Sequence, residues 1–468
     1  MNNKKLSVKD IIFLLLIINL LIGVLYLVFF HHDNTYSSGG DIVLAGSMLE
    51  GKGFSISPEI AKILNELQGE KGGLIEYPEL KKEVKKRGIS LSYVPYVDQP
   101  PGLPFLMLVI WKISHVQKYL PLQILQLLVS IGMVILIYKT GENFFSYRSG
   151  LIASFIYTFW LPLKRVAVVP HRDFWGIAFT LFWVYFLSLY WKKGRDKYLI
   201  AGAVISGIGT YFQPTIFLLP FFSSFLVLLL RKEVKKKYWQ VFLITFILPL
   251  IIVSPWIIRN RIVYNRWILM RGGMGLTVWE GLGEMDNPYG FYYSDLRAQE
   301  RVKELGYNFA PYSVEFHEVL LKDALSFIKR HPGYYIKTVL RRIPRSIILR
   351  NDWGFHKYLK VGWADFRKEK GGSLWMYFIS YPQDFLYRGI AGGLEGFLVI
   401  LTFVLAFIAG KKKIYALFPS LFCGLYFYLV YLPLHLEPRY FLSAEASFII
   451  SLGIGIDAYS RNFQEIGR

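Results

Sequence analysis

Charge is scarce in this 468-residue chain: 19% of its residues are Asp, Glu, Lys or Arg, against 54% hydrophobic and 17% aromatic. A soluble protein of this length needs more polar surface, so the composition excludes an ordinary water-soluble globule. One cysteine is present, Cys423. That excludes an intramolecular disulfide and any cysteine cluster for a metal, and its apolar surroundings suit inert packing better than reactivity. The chain has no Walker A loop, which argues against an ATP-driven pump. It also lacks H-E-x-x-H and G-x-S-x-G, the signatures of a zinc peptidase and of an esterase. It contains no internal repeat and no low-complexity tract.

Acids are the rarer charge, 33 against 54 Lys and Arg, leaving a net charge of +21. That excess invites a nucleic-acid reading, but its positions argue otherwise. Much of it lies in short clusters beside apolar blocks: Lys4, Lys5 and Lys9; Lys192, Lys193, Arg195 and Lys197; residues 231–237; and Lys411, Lys412 and Lys413. Such clusters are cytoplasmic anchors under the positive-inside rule, able to meet anionic headgroups, and no nucleic acid is expected.

What the sequence does have is long uncharged runs, beginning with residues 11–30. A helix rises about 1.5 Å per residue, so roughly 20 apolar residues cross a hydrocarbon core of about 30 Å. Lipid offers the backbone no hydrogen bonds, which leaves a helical bundle as the answer. The expectation is an all-α polytopic membrane protein with about ten transmembrane helices, at about residues 11–30, 120–139, 149–166, 173–190, 198–212, 215–230, 239–257, 389–409, 414–432 and 440–457. The first is read as a retained helix, being too long for a signal-peptide core. The basic clusters put both termini in the cytoplasm of a cell-membrane protein. Two large loops, at residues 31–119 and 258–388, then lie outside. Residues 101–113 are apolar but too short to cross, and are read as a helix on the outer surface. In the second loop, residues 314–329 have helical apolar spacing that stops at Pro332, and residues 336–349 suit an amphipathic helix interrupted by Pro344. Three units follow: a catalytic membrane module (1–257), an external region with amphipathic helices and a small mixed subdomain (258–388), and C-terminal membrane helices (389–468).

Chemistry is sought where loops meet the bilayer. Asp41 opens an amphipathic stretch soon after the first helix; it could take a proton from a hydroxyl, and the same position suits a helix N-cap. Asp173, after His171 and Arg172, stands where a helix begins at the outer face, a place for a site or for an interfacial anchor. Asp98 precedes a Pro-Pro-Gly turn and can be turn chemistry. His31, His32 and Asp33 could bind a metal, although three sequence neighbours rarely converge on one ion. Arg259, Arg439 and Arg342 are external arginines, against the positive-inside trend. Their forks match phosphate oxygens, and snorkelling would use the same residues. Glu395, inside an apolar run, is costly unless paired or wetted.

Met48-Leu-Glu-Gly-Lys-Gly-Phe-Ser55, Gln99-Pro-Pro-Gly-Leu-Pro104, residues 207–220, Pro255-Trp-Ile-Ile-Arg-Asn260, residues 324–333 and Pro438-Arg-Tyr440 occur in a suggestive order and spacing. In this the chain resembles the polytopic glycosyltransferases of the GT-C superfamily that use polyprenyl-phosphate sugars, including protein O-mannosyltransferases and lipid A aminoarabinose transferases. It has no Trp-Trp-Asp motif and so is less similar to oligosaccharyltransferases. The resemblance implies an inverting transferase moving a sugar from a lipid-phosphate donor to a hydroxyl at the extracytoplasmic face. The acceptor would be a glycan, a lipid or a protein. It also implies a catalytic acid in the first external loop. Counted from Ala45 that acid falls near Ser37; a short shift selects Asp41, and Asp33 is the substitute, with Asp98 a further alternative. Asp173 matches the second acid. Arg259, Arg439, Arg342 and Arg172 would hold the lipid phosphate, while Gln213-Pro214 stands where relatives often have Arg-Pro. No cofactor is demanded; a divalent metal, if used, would sit among Asp41, Asp98 and Asp173. The competing expectation is a transporter or flippase of lipid-linked glycans, which calls for charged or broken helices near the midplane.

Overall fold

The first helix begins with a reciprocal cap. Asp10 N–H donates to Ser7 Oγ at 3.2 Å and Ser7 N–H donates to Asp10 Oδ2 at 2.9 Å. From there α1 (Val8–Phe30) turns Leu15, Asn19, Gly23, Tyr26 and Phe30 inwards, one every three or four residues. Its other side exposes Phe13, Leu21, Leu25, Val28 and Phe29, an apolar surface that water would not tolerate and lipid would cover. The structure, a computed structural model, describes residues 7–30, 39–231, 237–285, 287–348, 366, 373–408 and 410–466. Asp33, with His31 and His32, lies outside the described residues.

The loop after α1 is a folded unit. It contains α2 (Gly39–Leu49), β1 (Ser55–Ile56), α3 (Pro58–Lys71), α4 (Tyr77–Arg87), β2 (Val94–Pro95) and α5 (Gly102–Ser114). The two strands pair antiparallel, Ser55 with Pro95 and Ile56 with Val94. Ser57 caps α3 by accepting from Ile60 N–H at 3.4 Å. Helix α5 is the short apolar segment expected at residues 101–113. Its 13 residues reach only about 20 Å. It buries Leu103, Met107 and Trp111 and exposes Val109 and Ile113.

There follow α6 (Leu120–Phe144), α7 (Tyr147–Phe159), α8 (Leu161–Val166), α9 (Arg172–Lys193), α10 (Asp196–Thr210), a tight turn at Pro214–Leu218, α11 (Leu219–Arg231), α12 (Lys237–Phe242) and α13 (Leu248–Tyr264). A widened helical turn, Leu243–Ile247, joins the last two. The single helix expected at 149–166 is two. Trp160 takes an extended backbone (φ −82°, ψ 93°), and Pro162 just after it has no N–H to continue the ladder. Pro255 sits inside α13, where its missing N–H would orphan the Ile251 carbonyl; Ser254 Oγ donates to that oxygen at 2.7 Å.

The region after α13 holds α14 (Met274–Leu282), α15 (Asp295–Glu304), α16 (Val314–Arg330) and α17 (Pro332–Ile348). Trp279, Phe291, Phe316, Leu320 and Phe327 form a core of its own. Among its described residues there is no strand, so the expected mixed subdomain is helical here. Pro332 both ends α16, as expected, and starts α17, the position where a missing N–H costs nothing. Helix α17 passes through Pro344 without stopping, so the expected interruption is absent. The chain finishes with α18 (Leu374–Ser380), α19 (Pro382–Ile408), α20 (Gly410–Tyr431), a turn at Pro438–Phe441 and α21 (Leu442–Ile466).

Among the described residues five helical stretches are long and apolar enough to cross a membrane: Val8–Phe30, Leu120–Phe144, Arg172–Lys193, Tyr238–Tyr264 and Pro438–Arg461. The other expected crossings are shorter, such as Pro214–Leu230 and Tyr415–Tyr431. Helix α21 is central, packed on α6, α7, α9, α19 and α20. Its polar side chains need no water: Ser451 Oγ donates to the Ser447 carbonyl at 3.2 Å and lies 2.7 Å from Ser420 Oγ.

Helices α6 and α7 cross at Gly150, where a Cβ would stand 2.3 Å from the Tyr138 carbonyl oxygen. Gly150→Leu is therefore expected to lower stability by about 2–3 kcal/mol, read as a drop in the thermal unfolding midpoint of the purified protein. Gly132→Leu, on the same α6 but with nothing within 4 Å, is the control and should leave the midpoint unchanged.

Candidate active site

Three stretches remote in sequence meet at one end of the bundle: residues 96–99 after β2, residues 270–273 after α13, and residues 171–173 opening α9. Gly272 N–H donates to the Val97 carbonyl at 2.9 Å, tying the first two together. The glycines around that bond permit the approach. A Cβ on Gly273 would lie 2.1 Å from Arg271 Nη2 and 2.8 Å from Asp98 Oδ1.

Asp98 Oδ1 lies 3.0 Å from His317 Nε2 and 3.8 Å from Arg271 Nη2. Burial alone would raise its carboxyl. The close approach of His317 and the charges of Arg271, His317 and Arg172 outweigh that, holding it below the usual carboxylate range. Arg172 thus links Asp98 to the opening of α9. There His171 caps the helix, accepting from Asp173 N–H at Nδ1 (3.2 Å), and Asp173 Oδ2 lies 3.1 Å from the same nitrogen. A carboxylate in the first helical turn also meets the positive end of the helix dipole. Arg439 approaches from the turn before α21, with Nη1 3.5 Å from His171 Nε2 and Nε bonded to Glu437.

Asp41 stands in the first turn of α2 and is 3% exposed. The preceding Gly40 lies against the Gln99 side-chain amide. Tyr96 is the shared neighbour: burial, then the charge of Asp98, with a smaller push from Asp41, holds its phenol well above the usual range, while Arg271 opposes them. Asp41, Asp98 and Asp173 are thereby brought into one neighbourhood through Tyr96 and Arg172. They do not close on a common point. Among the described residues no group of three or more His, Cys, Asp or Glu side chains could hold a metal ion, so the three acids as placed do not form the site named for a divalent metal, if one is used.

The arginines divide into two kinds. Arg259 is fully engaged: Nη1 donates to Asn260 Oδ1 at 2.9 Å and to the Tyr96 carbonyl at 3.4 Å, and Nη2 to the Phe54 carbonyl at 3.2 Å. Its guanidinium also lies 4.8 Å from the Trp256 ring centroid. Arg342, 1% exposed, donates from Nε to Glu284 at 2.9 Å, from Nη1 to the Leu432 carbonyl at 2.7 Å, and from Nη2 to the Gly281 carbonyl. Arg172 and Arg271 are different. Arg172 Nη1 is buried with no hydrogen-bond partner among the described residues, and the Arg271 side chain is 29% exposed, with Asp98 across 3.8 Å. Gln213, standing where an arginine is expected, donates to Tyr431 Oη at 3.1 Å. Sequence reasoning missed Arg271 and His317. The run Arg271-Gly272-Gly273-Met274-Gly275 was a signal for the first, whereas His317 looked like one more residue of an amphipathic helix.

Residues 98–258 match the family model described as dolichyl-phosphate-mannose-protein mannosyltransferase. The expected resemblance to polyprenyl-phosphate-sugar transferases therefore holds across this segment, which carries Asp98, Arg172, Asp173, Gln213 and Arg259. Among solved structures the chain is similar to the Archaeoglobus fulgidus oligosaccharyltransferase. The form tethered with an acceptor peptide is 13% identical, covers 97% of this chain and 50% of that one, and gives a TM-score of 0.48. The apo form is 10% identical, covers 99% and 52%, and scores 0.49. The form in complex with an inhibitory peptide and a dolichol-phosphate is 12% identical, covers 98% and 51%, and scores 0.46. The chain spans about half the length of these structures, and at that identity and score the likeness leaves activity open. No curated protein matches the chain.

Arg259→Ala removes the partner of two carbonyls and three rings at once, and is expected to cost about 2–4 kcal/mol. Arg259→Lys should rescue little, lacking the planar fork. Thermal unfolding and faster limited proteolysis within residues 50–58 report both; parental stability of Arg259→Ala would refute the clamp.

Proposed function

We propose that this protein is an inverting membrane glycosyltransferase that takes a sugar from a polyprenyl-phosphate donor and places it on an acceptor hydroxyl at the extracytoplasmic face. The observation that carries the reading is a guanidinium donor left without a protein acceptor at the acid-lined end of the bundle: Arg172 has a buried unpartnered Nη1, with Arg271 part-exposed beside Asp98. A buried donor without a partner calls for an acceptor that arrives with a ligand. The family model matched by residues 98–258 supports a lipid-phosphate sugar as that ligand.

In the reaction, Asp41 takes the proton of the acceptor hydroxyl as its oxygen bonds to the anomeric carbon. The bond from that carbon to the phosphate oxygen breaks on the opposite face, and its electron pair stays on the phosphate. Arg271, Arg172 and Arg439 stabilise the charge that develops there. The phosphate role moves to these three because Arg259 and Arg342 each already donate to three protein acceptors. Asp98 is a poor base, its charged form being favoured by His317 and Arg271, and its work is to aim Arg271. Asp173, at the head of α9, orients His171 and faces Arg439. A donor with a lipid tail enters sideways from the bilayer, while its acceptor comes from water above. The acceptor is a glycan, a lipid or a protein.

Asp41→Asn and Asp173→Asn are each expected to lower the transfer rate by about 100-fold or more, with folding intact. Arg271→Ala should weaken donor binding and slow transfer by a similar factor. Parental rates in both Asp variants, measured with a short-chain polyprenyl-phosphate sugar, would rule out the assignment.

The proposed orientation puts both termini in the cytoplasm. Because Cys423 is buried, introduced cysteines can be read cleanly. Lys52→Cys should react with a membrane-impermeant thiol reagent added to intact cells, and Lys193→Cys only after the membrane is opened. The reverse pattern would invert the topology.

A further inference from the structure

Side chains of alternating charge run from the region after α13 to the candidate site. Arg342 donates from Nε to Glu284 Oε2 at 2.9 Å. Glu284 Oε1 lies 2.6 Å from His435 Nδ1 and accepts the Leu436 N–H at 2.6 Å. On its other side, His435 Nε2 lies 3.7 Å from Glu437 Oε1. Glu437 Oε2 bonds Arg439 Nε, and Arg439 Nη1 reaches His171, the cap of Asp173.

We propose that His435 is a positioning residue for the transfer reaction: as a cation between Glu284 and Glu437 it holds Glu437 in register, and Glu437 in turn fixes the Arg439 fork beside His171 and Asp173. The inference rests on the reading of Arg439 as a ligand of the donor phosphate. A neutral imidazole carries one N–H, whereas both ring nitrogens here face a carboxylate, so the doubly protonated ring is the form that satisfies both. Counting the ring as charged, the chain has three cations (Arg342, His435, Arg439) and three anions (Glu284, Glu437, Asp173). A neutral ring leaves one negative charge uncompensated in a site where His435 is 2% exposed and Glu284 is 5% exposed. Glu437 would then draw on Arg439 alone among the cations of the chain, pulling the fork away from His171.

The neighbours of His435 all bear on its charge. Glu284 and Glu437 stabilise the cation; Glu280, on α14, is itself pushed up to about 8 by burial and by Asp295, so it adds negative charge only above that pH. Arg342 and Arg439 oppose it from behind the two carboxylates. The Tyr293 and Tyr440 rings, 5.0 and 6.0 Å away, close the sides. Burial alone would favour the neutral ring, but the two carboxylates prevail and push the imidazolium up to about 9. The sign follows. A group whose folded value lies above its ordinary 6.5 contributes fully below about pH 6.5, and the contribution is lost as pH rises through about 9.

The test uses the full-length protein in lipid nanodiscs, with kcat/KM for a short-chain polyprenyl-phosphate sugar and the thermal unfolding midpoint both followed from about pH 6 to pH 10. The parent should lose activity and stability along a limb near pH 9. His435→Gln should be roughly tenfold or more slower at pH 7 and should lack the limb. His435→Lys should recover most of the rate and move the limb upward, toward the ordinary lysine value of about 10.4. A folded His435→Gln with the parental rate and limb overturns the inference. Should His435→Gln fail to fold, a limb left near pH 9 in His435→Lys overturns it instead. A parent that transfers no sugar overturns the functional reading, and the unfolding limb still decides the charge on His435.

Discussion

Taking a carboxylate or a guanidinium out of water costs several kcal/mol unless an opposite charge or a hydrogen bond meets it. That constraint organises the whole end of this bundle. Asp98 is met by His317 and Arg271, Asp173 by His171, and Glu437 by Arg439 and His435. The pairings of Asp98 join elements far apart in sequence, so meeting that charge also assembles the site, whereas Asp173 and Glu437 are met by residues two places away in the chain. The residue left over is positive: Arg172 keeps a buried N–H without a partner among the described residues. A buried guanidinium N–H without a protein acceptor suits an incoming anion.

Arginine serves two opposed purposes here, and its surroundings decide which. Arg259 and Arg342 donate to main-chain carbonyls that no helix or strand satisfies, and so act as rivets. Arg259 fastens the unit between α1 and α6 to α13, and Arg342 fastens the loop before α21 to α14. Arg271 and Arg172 are held by few contacts and keep donors available. The rivets matter to the chemistry indirectly. Residues 96–98 carry both the carbonyl that Arg259 holds and the carboxylate that aims Arg271, so a loose first loop would misplace the acid and the cation together. A displacement of about 1 Å is enough to cost a reaction of this kind much of its rate.

Much of the architecture was legible because lipid simplifies the code. Uncharged runs gave α1, α6 and α9 to within about five residues of their ends, the run at 239–257 covered most of α12 and only part of α13, and α5 has the shortness expected of it. The unreadable parts were those in which a local signal has two outcomes. Pro332 stops one helix and starts the next; Pro344 sits within α17 without ending it; Trp160 and Pro162 break a run that looked continuous. The hairpin of α3 and α4 was invisible to a hydropathy reading since its apolar residues are too few to stand out. At the site, Asp173 was named from its place at a helix start, Asp98 from its turn, and Arg172 in its phosphate role from the resemblance. Arg439, Arg259 and Arg342 were all named as arginines on the expected outer side, and that placement alone could not tell a rivet from an open fork.

By itself the sequence determined the solvent, the helical class, the set of acids and arginines from which a site could be made, and a resemblance that residues 98–258 bear out. Those depend on composition and on short-range periodicity, which are properties of the chain before it folds. Tertiary structure decided which charges face each other. It put His317 against Asp98, Arg271 beside both, and His435 between two carboxylates, none of them sequence neighbours except His435 and Glu437. Coulomb energy depends on distance and on exclusion of water, and neither exists until the loops have closed over the end of the bundle.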